Sequence, residues 1–374
     1  AGVRAPVARW LSVGTDPRIV LLGLQAWPGM GPARLKKLRL AVNGRWEVMP
    51  AAWACAWATL DPQAGPRPEF AAIVDLGAAQ AQALDRSGAT LLQPAVSGWP
   101  VQLDQLDHPP PLLFVQGDSA AVADAAHRVA VIGARACTPY GHEQATRFGS
   151  GFAAAGVTVV SGAARGVDQS AMHGAVQTGG RVVAVMGAGL DRIYPSSAEP
   201  LLRAIVAAGG AIVSEFPFGT PPQAGNFPRR NRVLAALCQA VVVVQATRRS
   251  GSMNTVGWAL SLGREVWGVP GAVDCAASQG PHLLLREGAS LAESPMDVLR
   301  VLEQRCTEDE LGRESPALAA LQARDQGLAE LAEVTGRGEE IMLLELLDLE
   351  MRGLVIRLSS GLYHRCGPHR AQAP

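Results

Sequence analysis

The sequence has little lysine, few aromatic residues and no paired cysteines. Its lysines are Lys36 and Lys37, so nearly all of its positive charge comes from arginine, and Lys+Arg equals Asp+Glu at 33 each. A balanced net charge gives no indication of a polyanionic partner, so any charge signal must be local. The six cysteines include no C-x-x-C pair, and the seven histidines do not cluster with them. This pattern argues against a disulfide framework or a metal site and favours buried free thiols.

Long hydrophobic runs are also absent. Apolar runs such as Val182–Met186 and Val241–Val244 fall far short of the ~20 residues that span a bilayer, and no basic-then-apolar leader opens the chain. We therefore expect a cytoplasmic protein without membrane contact. Because 48% of the 374 residues are hydrophobic, the chain can bury a large core, and its length favours two or three domains.

The first predicted domain, residues 1–92, is rich in Ala, Leu and Trp and patterned for helices. Its stretch Trp27-Pro-Gly-Met-Gly-Pro-Ala-Arg-Leu places glycines between two apolar-periodic segments, as a helix-hairpin-helix or SAM-like domain does. Backbone N–H groups of such a hairpin can face a phosphate. The alternative is a structural cap or an interaction domain without DNA contact. The proline-punctuated segment Gln93–Pro111 is expected to be an extended linker.

The second predicted domain, residues 93–305, alternates short β-branched runs with helical patterns such as Tyr140–Ala155 and Gln169–Thr178. Apolar strands joined by helical crossovers predict an α/β fold, an extended Rossmann-like, mostly parallel sheet covered on both faces. The expected strands are Leu112–Val115, Val129–Ile132, Thr158–Val160, Val182–Val185, Ala211–Val213, Val241–Val244 and Glu265–Val269.

The third predicted domain, residues 316–374, follows a charged linker near Thr307–Pro316. Helical patterns around Leu318–Arg324, Leu328–Val334 and Glu339–Met351 precede a tight hairpin, which together suggest a winged helix. The last of these helices carries five acidic residues and no basic one, although a helix that enters the major groove of DNA should be basic. We therefore favour protein contact or regulation for this domain over DNA binding.

Glycine- and arginine-rich loops follow four of the expected strands. In an open parallel sheet, ligands bind where loops leave the carboxyl ends of the strands. Glycine permits close backbone approach there, and the next helix N-terminus favours an anion. A single such loop could be only a tight turn, but together these four predict a phosphate-binding rim, with arginines at 135, 165, 248 and 249. The loops begin at Gly133, Ser161, Met186 and Gln245.

The motifs of the common nucleotide-binding folds are missing. No G-x-G-x-x-G follows the first strand, which disfavours a dinucleotide, and no G-x-x-x-x-G-K-[ST] is present, which disfavours a P-loop NTPase. The stretch Phe216–Arg264 has no Asp or Glu but six arginines. Within it, Phe227 stands beside Arg229 and Arg230, so a base could stack on the ring while guanidinium groups hold phosphates. This combination favours single-stranded nucleic acid.

The same residues resemble those of the DprA/Smf family of DNA-processing proteins. The resemblance covers about Trp99 to Gly271 and includes Ser161-Gly-x-Ala-x-Gly-Val-Asp, Gly187-x-Gly-x-Asp-x-x-Tyr-Pro, Phe227-Pro-x-Arg-Asn-Arg and Ser250-Gly-Ser. It implies single-stranded DNA binding, homodimerisation and a role in natural transformation, with RecA recombinase and single-strand-binding protein as partners and no cofactor. The matching positions imply DNA contacts at Gly133, Arg135, Ser161, Gly162, Gly166, Gly187, Phe227, Arg230, Asn231, Arg232, Ser250, Gly251 and Ser252, and the arginine-rich stretch itself adds Arg229.

The chain also departs from that family. It has Ala134 where many relatives have serine, Ser196 and Ser197 where a lysine is usual, and Gln245 where an acidic residue is usual. The missing lysine weakens one implied phosphate contact, for which Arg192 or Arg203 are the candidate substitutes.

Three carboxylates at strand ends are expected to organise loops rather than to catalyse: Asp168, Asp191 and Glu215. No histidine or cysteine forms a nucleophile–base motif with them, so we expect no catalytic residue and no enzymatic activity. Two alternatives remain open from the residues, a nucleotide-binding or nucleotide-processing enzyme on a Rossmann-like fold and a scaffold that contacts only proteins.

Overall fold

The structure, a computed structural model, describes residues 16–61, 65–94, 96–123, 127–303, 315–321, 324–351, 355–358 and 361–365. The chain divides into two compact units, Ala1–Val298 and Leu299–Pro374. Cys306, Cys366 and residues 307–314 of the expected linker lie outside the described residues. The boundary expected between residues 92 and 93 does not separate compact units, because the N-terminal helices and the sheet share the first one.

The N-terminal segment is helical, as its composition predicts. The Asp16 carboxylate accepts a 2.8 Å hydrogen bond from the Arg18 N–H and so caps the first helix. Gly23 and Gly77 let the first and fourth helices cross closely, since a Cβ on Gly77 would collide with the carbonyl oxygen of Ile19. The helices are α1 (Pro17–Ala26), α2 (Pro32–Ala41), α3 (Met49–Ala58) and α4 (Phe70–Ser87).

A sheet of nine strands, counted over the described residues, forms the body of the first unit. The strands are β1 (Thr90–Leu92), β2 (Leu113–Gly117), β3 (Arg128–Ile132), β4 (Thr158–Ser161), β5 (Val182–Met186), β6 (Ala211–Ser214), β7 (Ala240–Val243), β8 (Glu265–Gly268) and β9 (Ser290–Leu291). Their order in the sheet is β1-β2-β6-β5-β4-β3-β7-β8-β9. The first two neighbouring pairs, β1 with β2 and β2 with β6, are antiparallel, and every later pair in this order is parallel.

The expected mostly parallel α/β sheet is confirmed, and each of the seven expected strands matches an observed one to within two residues at either end. The short edge strands β1 and β9 were missed, because three- and two-residue segments carry too little periodicity to be recognised. The chain runs from β3 through β4 and β5 to β6 in one direction and then returns to place β7 on the other side of β3. This reversal creates a switch point between β3 and β7, the usual ligand position in such sheets.

Helices cover the sheet and connect its strands. The segment predicted as an extended linker is instead packed, because Trp99, Leu103 and Leu106 are buried in the main hydrophobic core. Arg128, only 1% exposed, donates hydrogen bonds of 2.6 and 2.7 Å to the carbonyls of Leu237 and Val122. The remaining helices of this part are α5 (Ala120–Ala123), α6 (Pro139–Ala154), α7 (Val167–Gln177), α8 (Glu199–Ala207), α9 (Asn226–Leu237), α10 (Gly251–Ser261), α11 (Gln279–Arg286) and α12, described over 295–303.

The second unit contains short helices followed by a hairpin, in the expected order. Ser315 caps the first helix by accepting from the Leu318 N–H and donates a 2.7 Å hydrogen bond to the Glu345 carboxylate. Gln326 adds an isolated bridge to Tyr363 at the hairpin edge. The elements are α13 (Pro316–Ala320), α14 (Leu328–Thr335), α15 (Glu339–Met351), β10 (Val355–Arg357) and β11 (Tyr363–Arg365).

Within the described part of the chain, no helix is both long and apolar enough to cross a membrane.

Candidate nucleic-acid interface

Loops from three neighbouring strands and the start of α9 line a small pocket at the carboxyl edge of the sheet. Its position next to the β3–β7 switch point follows the rule for doubly wound sheets. Three of its lining residues are arginines, two are aromatic and none is acidic. The lining residues are Arg135, Gly162, Ala164, Arg165, Tyr194, Pro195, Phe227 and Arg230.

The loop between β4 and α7 is organised by a buried carboxylate. Asp168 Oδ2 accepts hydrogen bonds of 3.1 Å from the Gly162 N–H and 3.4 Å from the Ala164 N–H. Gly166 caps α7 at φ +80°, where a Cβ would collide with the carbonyl oxygens of Ala134 and Arg135. The loop therefore presents its backbone and Arg165 to the pocket from a fixed position.

Arg230 lies at the base of the pocket and is only 6% exposed. Its guanidinium donates a 2.8 Å hydrogen bond to the carbonyl oxygen of Gly162 and another to that of Val185. Burial lowers the pKa of Arg230 to about 10, with Asp168 opposing the shift and Arg135 adding to it, so the group stays charged at neutral pH. Burial likewise raises the pKa of Asp168, while Arg230 and the loop N–H groups oppose that rise.

The aromatic side of the pocket is formed by Phe227 and Tyr194, whose ring centroids lie 5.6 Å apart at an interplanar angle of 47°. Phe227 is on the first turn of α9 and is partly exposed. Gly187, at the end of β5, makes room for it, since a Cβ there would come within 2.9 Å of the ring. The exposed Arg135 guanidinium lies over the Phe227 ring, 5.4 Å from its centroid.

Hydrogen bonds join the loops after β3 and β7 across the switch point. Gln245, 2% exposed, accepts from the Thr138 N–H and donates to Thr138 Oγ1, both at 2.9 Å. The amide group makes one bond as acceptor and the other as donor. Ser252 Oγ donates a 2.8 Å hydrogen bond to the carbonyl of Gly133, so its hydroxyl hydrogen is directed at the loop.

Two of the arginines in the acid-free stretch are paired with a carboxylate just outside it. Glu215, 2% exposed, forms an ion pair with Arg232 and a 3.2 Å ion pair with Arg229. Arg232 also donates a 2.6 Å hydrogen bond to the carbonyl of His108, and Arg229 lies over the Phe216 ring, 4.9 Å from its centroid. Both guanidinium groups are thus held by the protein itself.

Of the sequence-predicted DNA contacts, the structure brings Arg135, Gly162, Phe227 and Arg230 together in the pocket. Ser161 is fully buried and donates a 2.7 Å hydrogen bond to the carbonyl of Val131. The predicted contacts outside the pocket lining are Gly133, Ser161, Gly166, Gly187, Arg229, Asn231, Arg232, Ser250, Gly251 and Ser252. Of the predicted loop organisers, Asp191 Oδ1 accepts a 2.8 Å hydrogen bond from the Gly219 N–H.

The sequence analysis placed Arg165 in the phosphate-binding rim but did not name three other lining residues, Ala164, Tyr194 and Pro195. All three stand inside motifs that it identified, so the available signal was their place in the loops. Arg192 and Arg203, considered as substitutes for the missing lysine, do not line the pocket and pair instead with Asp191 and Glu199. Arg165 supplies the second exposed cation.

At the N-terminal hairpin, the Arg34 side chain is held by the protein. It donates a 2.6 Å hydrogen bond to the carbonyl of Gly29 and forms a 2.8 Å ion pair with Asp61. Elsewhere, among the described residues, no group of three or more His, Cys, Asp or Glu side chains is placed to hold a metal ion.

A doubly wound α/β sheet with an arginine- and aromatic-lined pocket at its carboxyl edge defines a Rossmann-like protein suited to a phosphate-bearing ligand. A family model described as DNA recombination-mediator protein A matches residues 90–303, more than half of the chain. The chain belongs to this family, as the sequence motifs indicate.

Curated relatives carry the family's names. The chain is 42% identical over 205 residues to Protein Smf of Escherichia coli, covering 55% of this chain and 54% of the relative. It is 38% identical over 237 residues to the putative DNA processing protein DprA of Mycobacterium tuberculosis, covering 60% and 61%. The matched region therefore spans little more than half the length of these relatives.

Solved structures agree with the assignment. DNA processing protein A of Streptococcus pneumoniae superimposes with a TM-score of 0.64 at 28% identity, covering 77% of this chain and 98% of that one. A structure of the Helicobacter pylori protein, described in terms of its single-stranded DNA binding mode, gives 0.53 at 29% identity over 58% and 96%.

Proposed function

We propose that the chain binds single-stranded DNA in this pocket and mediates recombination without catalysing a reaction. The observation that carries the proposal is the pocket itself, which combines three arginines and two aromatic rings and has no acidic residue in its lining. Single-strand binders use this combination, with guanidinium groups on phosphates and rings under bases. The single-stranded DNA binding described for the Helicobacter pylori relative supports the same reading.

Each pocket residue has a distinct role in this proposal. Arg135 and Arg165 are exposed and take the phosphates, while Phe227 and Tyr194 offer faces for a base. Arg230, which donates to the loop carbonyl of Gly162 and to the carbonyl of Val185 in β5, holds the β4–α7 loop in place and adds a nearby charge. The N-termini of α7 and α9 lie at the pocket and favour an anion there.

We further propose that the protein forms a homodimer, protects incoming single strands in natural transformation and loads RecA recombinase in the presence of single-strand-binding protein. Family membership supports this. Two linked pockets would raise avidity without new contacts. A strand-exchange assay on DNA coated with single-strand-binding protein tests the loading step. Wild-type protein should shorten the lag of RecA, and Arg135→Gln should not, while Arg203→Gln serves as the charge-matched control.

For the second unit we propose a winged-helix domain that contacts protein rather than DNA. Its order of helices and hairpin supports the fold. Ile341 and Leu344 on α15 are 59% and 69% exposed, and the exposed Glu340 lies beside them. Apolar residues among acids suit a protein surface, whereas a polyanion would be repelled.

One experiment separates this proposal from its rivals: oligonucleotides of increasing length, single- and double-stranded, are titrated while nucleotide turnover is followed. We expect affinity that grows with the length of the single strand and falls with salt, without turnover. Turnover of a nucleoside phosphate without length dependence would establish a nucleotide-processing enzyme instead. A protein that neither binds DNA nor turns over nucleotide would be a scaffold.

A further inference from the structure

A second polar groove lies between α6 and α7, outside the pocket. It is a shallow groove on the surface and is open to solvent. Every side chain that lines it can donate or accept hydrogen bonds, and none of them lines the pocket. The lining residues are His142, Glu143, Thr146, Arg147, Ser170, His173 and Gln177.

The groove starts where the pocket ends. Ser170 Oγ donates a 3.0 Å hydrogen bond to the carbonyl oxygen of Gly166, the residue that caps α7. Arg165, immediately before that cap, lines the pocket. Ser170 lies about 6 Å beyond Gly166 along the helix axis, so a strand that leaves the pocket past Arg165 reaches the groove directly.

Hydrogen bonds between the helices hold the near end of the groove. His142 Nδ1 lies 2.7 Å from Ser170 Oγ. Because the Ser170 hydroxyl hydrogen is directed to Gly166, its oxygen accepts from the His142 Nδ1–H. Thr146 Oγ1 donates a 2.9 Å hydrogen bond to the His142 carbonyl. The imidazole ring is thereby oriented, and with its hydrogen on Nδ1 the neutral ring serves to hold the two helices together rather than to donate to a phosphate.

The donors of the groove stand on both of its walls. His173 and Gln177 follow Ser170 on the same face of α7, and the three residues extend over about 10 Å. Arg147, which donates a 3.3 Å hydrogen bond to the carbonyl of Glu293, provides the permanent positive charge on the α6 wall. Glu143, one turn earlier, is the one carboxylate in the lining. Donors spread along a groove fit an extended backbone with repeated phosphates better than one compact anion.

We propose that the α6–α7 groove is a second DNA contact, which takes the sugar–phosphate backbone of the strand as it leaves the pocket. The inference rests on the proposed function, since it assumes that the pocket holds single-stranded DNA. Because the groove contacts only backbone, it adds affinity without sequence preference.

Short and long oligothymidylates, of about 4 and about 16 nucleotides, test the groove by fluorescence anisotropy over a range of salt concentrations. We expect Arg147→Gln to weaken binding of the long strand about three- to tenfold and to reduce the slope of log K against log salt by about 0.7. The short strand should bind as to the wild type. His173→Ala should act in the same direction.

Glu143→Gln should change the affinity in the opposite direction, because loss of a carboxylate from the groove should tighten binding of the long strand. Arg203→Gln is the matched control, since Arg203 is 71% exposed on α8, pairs with Glu199 and lines neither site. Wild-type binding of both lengths by Arg147→Gln and Glu143→Gln would overturn the groove and leave the proposed function standing. An equal loss of affinity for the short and the long strand would also overturn the groove, because it would show that the substitution disturbs the pocket. Failure of the wild type to bind either strand would instead remove the proposed function.

Discussion

The guanidinium of Arg135 lies over the ring of Phe227, with its carbon 5.4 Å from the ring centroid. Arg135 follows β3 and Phe227 lies in the first turn of α9, so the contact joins distant parts of the chain at the pocket. A guanidinium and an aromatic ring are thereby brought together at the pocket, and these are the two groups that single-strand binders use for phosphate and base.

Loss of the Phe227 ring should weaken binding of single strands without unfolding the protein. Stacking of a base on an aromatic side chain contributes about 1–3 kcal/mol, so Phe227→Ala should lower oligonucleotide affinity correspondingly. Phe227→Leu keeps an apolar side chain but no π face and should lose nearly as much. Anisotropy titrations measure both variants. Full affinity in Phe227→Leu would show that packing rather than stacking is the contribution of this residue.

Arg135 and Arg230 should respond differently to the same substitution. Arg135 is exposed, so Arg135→Gln should reduce DNA affinity while leaving the free energy of unfolding nearly unchanged. Arg230→Gln leaves the Asp168 carboxylate buried without its cation, which should lower the free energy of unfolding by about 3–5 kcal/mol. Urea unfolding curves compare the two. Equal free energies of unfolding for the two variants would contradict the buried position of Arg230 at the base of the pocket.

Glu215 should be essential for stability although it contacts no proposed ligand. Glu215→Gln removes the charge opposite the buried Arg232, and we expect a loss of about 3–5 kcal/mol. Asp191→Asn is the matched control, because Asp191 is exposed and an amide oxygen can still accept from Gly219. That control should change stability by less than about 0.5 kcal/mol. A stable Glu215→Gln protein would mean that Arg232 finds another partner.

Cysteine alkylation should report the burial of the sheet region. Burial raises the pKa of the Cys238 thiol to about 12, so at pH 8 only about one molecule in ten thousand carries the reactive thiolate. Native Cys238 should therefore resist iodoacetamide, whereas the exposed Cys55 should react. Mass spectrometry before and after denaturation in urea distinguishes the sites. Alkylation of native Cys238 as fast as Cys55 would contradict its buried position.

The hairpin of the second unit should make no contribution to single-strand affinity. Arg357 is exposed on β10, so Arg357→Gln would weaken binding if the hairpin touched the DNA backbone. We expect unchanged affinity and an unchanged salt slope in the titrations used for Arg135→Gln. A loss as large as that of Arg135→Gln would make this unit a DNA contact.

The strands of the sheet could be predicted because each of them is recognised from its own residues. Strands such as Val182–Met186 are short, β-branched and buried on both faces, and this pattern can be recognised without knowledge of neighbours. The edge strands and the packed segment around Leu103 were not recognised, because their structure depends on contacts with distant residues.

The site likewise could be predicted only in part. The sequence by itself determined the family, the glycine-rich loops at the carboxyl ends of the strands, and the candidate contacts Arg135, Phe227 and Arg230. Only the tertiary structure decided which arginines face the pocket. Glu215 stands one residue before the acid-free stretch and holds Arg229 and Arg232. Charge available to a ligand depends on which carboxylates lie within a few ångströms in space, and a count along the chain does not contain that distance.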